Sequence, residues 1–193
     1  MANRNGFMPY RSLGGGQTLL NLVPVNAGSN NEFFIGDPVY LTSGKLTPVT
    51  ASAGNYVGVI HQLYSKSTTD GNKPKPLTFN QPGRGPYLVS AQEGYASVCF
   101  DPNQTYLAQI DVSASAGLIG KTINVSAGAP NKQAGISGYN LKGATLSTSA
   151  DNPFKIVGLA PTELVNGYGR DFPAGAAVEV KLNFTVFSQT AGV

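Results

Sequence analysis

The sequence predicts an all-β fold: a single β-sandwich or barrel, a jelly-roll-like one included, with an extended N-terminal arm and long loops. Three observations lead there. The 24 glycines and 13 prolines make up close to a fifth of the 193 residues, a composition that favours turns over long helices. Several short apolar segments alternate with a period of two, the spacing of a half-buried strand. No stretch of useful length carries the 3.6-residue period of an amphipathic helix, and that combination points to a sandwich or barrel.

The clearest strand is AVEVKLNFTVF, residues 177–187. Val178, Val180, Leu182, Phe184 and Val186 alternate with Glu179, Lys181, Asn183 and Thr185. Burying five such apolar side chains stabilises by roughly 8–15 kcal/mol gross, and a one-residue slip would turn all of them to solvent, so register is strongly specified. EFFIGDPVYL (32–41) puts Phe33, Ile35, Val39 and Leu41 on one parity, interrupted at Gly36-Asp37-Pro38 by a bulge or sharp turn. NYVGVIHQLY (55–64) alternates Val57 and Val59 with glycine and polar residues. YASVCF (95–100) and TYLAQIDV (105–112) flank Asp101-Pro102-Asn103-Gln104, which suggests a hairpin. LIGKTINV (118–125), YNLKGATL (139–146) and PFKIVGLA (153–160) complete the set.

Around these strands the expected organisation is an arm over 1–31 and one β-domain over 32–193. The arm is polar and glycine-rich and carries Arg4 and Arg11. A basic Pro/Gly-rich loop at about 65–87 holds Lys66, Lys73, Lys75 and Arg84 against Asp70 alone, and a Ser/Gly/Ala-rich loop spans about 126–138.

Only 12% of residues are charged, where a soluble domain usually has about 25%. So weakly ionised a surface suits a subunit covered by neighbours better than a free monomer. The net charge of +3 is scattered, too dilute for a nucleic-acid binder. Cys99 is the single cysteine, which excludes an internal disulfide and a cysteine-based zinc site. The opening MANRNGFMPYRS has no apolar signal region, and no apolar run reaches the ~18 residues of a membrane helix. The expectation is a cytoplasmic origin, no membrane, no cofactor and no metal. The Asn-x-Ser/Thr triplets at Asn103, Asn124 and Asn183 then carry little weight.

Catalytic signatures fail on inspection. SAGLIGKTINV (115–125) ends a phosphate-loop pattern at Gly120-Lys121-Thr122, but Ser115 occupies the first glycine position and a β-branched run follows where a helix is needed. LGGGQT (13–18) lacks the lysine as well. His61 is the single histidine, on the parity of Val57, Val59 and Leu63, which suits a core or interface residue. No nucleophile elbow is present, and Cys99 has only His61 as a base. Asp37, Asp101 and Asp151 stand beside or near proline in turn sequences. A carboxylate hydrolase and a free-standing carbohydrate-binding module remain as competitors, the latter weakened by the absence of tryptophan. The chain reads as a non-enzymatic scaffold.

The order GFMPYRSLGG, FFIGDPVYL, YVGVIHQLY, VCFDPNQTYLAQID, NPFKIVGLAP and VEVKLNF resembles the capsid cement, or head decoration, proteins of tailed bacteriophages, small structural proteins encoded beside the major capsid protein. The likeness covers most of the chain; it departs around 66–86 and near 113–150. It implies a virion protein made in the bacterial cytoplasm, bound outside the shell and bridging major capsid subunits. A dimer or trimer of itself would form there, with no nucleic-acid contact and no catalytic residues. On that reading Arg4 and Arg11 pair with shell carboxylates, and Phe7, Met8 and Tyr10 anchor in shell pockets. Lys66, Lys73, Lys75 and Arg84 meet an acidic surface or a symmetry mate. A tail or fibre component that binds a host glycan is the alternative.

Overall fold

Two antiparallel sheets pack face to face in the computed structural model, which describes residues 6–14, 20–28, 31–49, 56–78, 85–149, 152–161 and 176–183. The first sheet runs β1 (Met8–Ser12), β8 (Gln104–Gln109), β12 (Ala177–Leu182), β11 (Phe154–Leu159), β9 (Thr122–Ser126), β10 (Asn140–Ser147). The second runs β2 (Leu20–Pro24), β7 (Gly94–Cys99), β5 (Tyr56–Lys66), β3 (Pro38–Thr42), β4 (Lys45–Pro48), with β6 (Pro74–Pro76) on the far end of β5. A short 3-10 turn at Ala116–Leu118 is the helical element among the described residues. The all-β sandwich expected from periodicity is what forms; neither sheet closes into a barrel. An isolated parallel bridge from Val25 to Leu46 nonetheless brings the end of β2 against β4 and curls the second sheet on itself.

β5 belongs to two cores at once. Tyr56 and Val59 face the first sheet and pack with Phe7, Tyr106, Ala108, Phe154, Ile156, Val178 and Val180. Val57, Ile60 and Leu63 face the other way, into the curl of the second sheet, with Phe33, Val39, Leu46, Leu88, Ala96 and Val98. Strict alternation would put Val57 and Val59 on one face. Pairing with β3 skips one residue between Gly58 and Tyr56, and pairing with β7 skips one between Ile60 and Gln62. These are β-bulges at Val57 and His61, each of which flips the parity that follows. The shared parity expected of Val57, Val59, His61 and Leu63 is therefore broken.

Three further expectations are corrected. The arm over 1–31 is not separate from the body: β1 pairs with β8 and β2 with β7, so the chain supplies an edge strand to each sheet. The basic loop at 65–87 is in part a hairpin, because β5 continues to Lys66 and β6 folds back with Tyr64 opposite Pro76 and Lys66 opposite Pro74. Proline is tolerated there because an edge strand can spare an N–H on its outer side. Finally, Asp101-Pro102-Asn103 does form a turn, but β7 and β8 lie in different sheets, so it arches between layers and makes no hairpin. The segment 126–138 connects β9 to β10 and is pinned to the body by the Ile35–Ile136 bridge.

Candidate functional site

The described residues among those expected to touch a partner do not form one surface. Phe7 is fully buried, stacked on Phe154 with ring centroids 4.6 Å apart. It is a core residue and cannot anchor in a foreign pocket. Met8 and Tyr10 lie half-buried on the outer face of the first sheet, against Leu107 and Ala177. Arg11 donates from Nε and Nη2 to both carboxylate oxygens of Glu179, each at 2.8 Å, and its guanidinium sits over the Tyr10 ring. That bidentate pair already uses the fork that would have met a shell carboxylate. Lys66 pairs with Glu93, while Lys73 and Lys75 are exposed on the β5–β6 hairpin. Arg4 and Arg84 lie outside the described residues.

The titratable interior is structural in character. His61 meets Tyr106 edge to face at 6.4 Å, and its Nε2 has no hydrogen-bond partner. Burial lowers its pKa to about 4, which makes it a weak base. Burial also pushes the Cys99 thiol up, so it stays protonated at neutral pH. Asp37 is buried at the Gly36-Asp37 turn, where its carboxylate accepts the Phe34 N–H at 2.8 Å. Desolvation raises its pKa to about 7 against the opposing hydrogen bonds from Ser137 and Phe34. It borders a cavity of about 270 Å³ lined by Asn31, Glu32, Val49, Gly138 and Tyr139 among others. At Gly120-Lys121-Thr122 the chain turns out of the 3-10 segment, with Gly120 at φ +90, and enters β9. No helix N-terminus is there to hold a phosphate.

Sequence reasoning missed that, among the described residues, one side of the sandwich is left without a further strand. β7 and β8 are joined by the inter-sheet turn, so their partners β2 and β1 form the edges of both sheets on the same side. Leu13, Leu20 and Leu22 border that side, 49, 50 and 48% exposed. Leu13 is held there by its N–H to Asn103 O at 2.9 Å. β2 pairs residue for residue with β7, from Leu20 opposite Cys99 to Pro24 opposite Tyr95, without a bulge or a charge along it. An edge strand that is regular, apolar and uncharged is the kind that pairs with another chain. The signal was in LNLVP, where Leu20 and Leu22 sit two apart, but five residues carry too little periodicity to be read.

Another cavity, about 310 Å³, opens beside the β5–β6 hairpin between Ser65, Lys75, Leu77, Tyr87 and Gln92. The Tyr87 ring is stacked on Phe34 at 4.8 Å and Lys132 Nζ stands 5.9 Å from its centroid, so the ring already has partners within the protein. No helix among the described residues is long and apolar enough to cross a membrane. Comparison with known protein families and with curated proteins finds no match for this chain.

Proposed function

We propose that this chain is a capsid cement protein that binds the outside of a virion shell and bridges neighbouring major capsid subunits. The motif order resembling phage decoration proteins motivates the reading. The observation that carries it is the β2 edge of the sandwich, which over Leu20–Pro24 pairs with β7 and, among the described residues, with no second strand, and which is bordered by three half-exposed leucines. A cement protein must transmit load between subunits, and a double-sheet body with a regular free edge can do so by extending a partner's sheet. The low charge fraction fits a surface that spends its working life covered. The glycan-binding tail or fibre alternative gains little from the Tyr87 cavity, whose ring is already stacked on Phe34 and approached by Lys132.

The test is co-assembly with the major capsid protein of the same genome. Leu20→Asp/Leu22→Asp should leave stability within about 1 kcal/mol, as surface changes generally do. Retention on sedimented particles should fall about tenfold, which corresponds to ~1.4 kcal/mol. Undiminished retention, or wild-type particles that never carry the protein, rejects the reading.

A further inference from the structure

The first sheet has an outer face whose lysines are not balanced by acids among the described residues. Lys155 on β11 stands directly opposite Lys181 on β12. Directly opposed cross-strand residues project from the same face with Cβ atoms about 5 Å apart, and like charges there destabilise the sheet. Their neighbours in sequence, Phe154, Ile156, Val180 and Leu182, all point into the core, so both lysines point outward. On the same face Thr122 pairs with Lys155, and Asn124, two residues along β9, pairs with Lys142 of β10. Strand spacing puts Lys142 roughly 12 Å from Lys155. None of the three lysines has an ion-pair partner among the described residues.

The acids are disposed differently. Glu179, on the same face, is held by Arg11. Glu32 and Glu93 are paired to Lys132 and Lys66. Asp101 accepts from Ser12 Oγ and Asn103 N–H, Asp111 accepts from Gly143 N–H, and Asp37 is buried in its turn. Asp70 alone among the described carboxylates has no side-chain or backbone partner for its oxygens. Among the described residues, a second copy of this chain therefore offers no cluster of unpaired carboxylates to set against the lysines. Nor does the face suit nucleic acid: its arginine is committed to Glu179 and to Tyr10, and among the described residues no open aromatic lies between the cations.

We propose that the outer face of the first sheet, through Lys142, Lys155 and Lys181, docks an acidic segment of a different protein. The segment's carboxylates would relieve the Lys155–Lys181 repulsion that the free protein tolerates. The inference is independent of the cement reading, which rests on the opposite feature, an apolar edge.

The experiment uses the full chain, a labelled oligo-glutamate peptide and a DNA duplex of matched charge. The peptide should bind with strong salt dependence and shift backbone amide resonances at Thr122, Asn124, Lys155 and Lys181. Lys142→Gln/Lys155→Gln/Lys181→Gln should weaken it about tenfold, whereas Lys73→Gln/Lys75→Gln on the hairpin should not. Lys155→Gln alone should raise the melting temperature at low salt and lose that advantage at high salt. Resonance shifts confined to the hairpin, unchanged affinity in the triple variant, or tighter binding of the duplex than of the peptide would each overturn the proposal.

Discussion

Phe7 shows how one side chain changes role with its neighbours. In sequence it stands among polar and small residues, in Asn5-Gly6-Phe7-Met8, with the look of an exposed anchor. In the fold Gly6 takes φ +58 against Ser137, and the chain drops Phe7 between Phe154 and the first core. Phe7→Ala should then cost about 3–5 kcal/mol, the range for truncating a buried aromatic. Urea denaturation checks this; a loss below 1 kcal/mol would return Phe7 to the surface. Glu179 is the mirror case. Strand alternation assigns it to the solvent side, and its side does face away from the core, yet it is 2% exposed because Arg11 closes over it. Alternation tells which side a residue is on. It does not tell what will lie on top of that side.

Among the elements, β5 organises the others, and it depends on Gly58. A Cβ there would meet Cys99 O at 2.4 Å and Val98 Cγ1 at 2.5 Å, distances at which something must move. The two bulges that flank it let successive residues serve opposite cores, and β7 closes tightly over the strand between them. Gly58→Ala should destabilise by about 1–3 kcal/mol, as overpacking does, and calorimetry would register it as a lower melting temperature. An unchanged transition would mean that the β5–β7 contact is looser than its geometry. Gly58 was legible only as a polar-parity residue of an alternating strand. The β5–β6 hairpin, by contrast, carries a local signal in its turn. Asp70-Gly71-Asn72-Lys73 turns with Gly71 at φ +61 and Asn72 at φ +64, the residue types that hairpin turns select. Ser43-Gly44 between β3 and β4 turns the same way, with φ +50 and +75.

For the molecule as a whole, the buried Asp37 and the half-buried His61 set opposing pH dependences. Asp37 has a folded pKa raised to about 7, so its contribution is fully present below the ordinary carboxylate range and is lost as pH rises through 7. His61 has a folded pKa lowered to about 4, so its contribution is present above about 6.5 and is lost as pH falls through 4. Between about pH 4 and 6.5 the two slopes oppose each other, each at most about 1.4 kcal/mol per pH unit. The native protein should melt at nearly constant temperature across that window. Asp37→Asn should make stability rise with pH there, and His61→Gln should make it fall. Thermal melts at half-unit pH steps decide the matter; parallel curves for all three proteins would show that neither group carries the assigned linkage.

Strand identity was written into the chain wherever apolar residues alternate over six or more positions, as in Tyr56–Lys66 and Ala177–Leu182, because period-two patterning needs no partner to be expressed. The turn at Gly36-Asp37 and the absence of a phosphate loop at Gly120 were likewise local matters of glycine, proline and β-branched residues. Which sheet each strand joined was not local. β1, β2 and β6 are strands only because β8, β7 and β5 present open edges to them, and β7 and β8 part company because their apolar faces belong to different cores. The exposed leucine edge and the opposed lysines arose in the same way, from residues distant in sequence brought side by side by strand pairing, a long-range event that no short window of sequence encodes.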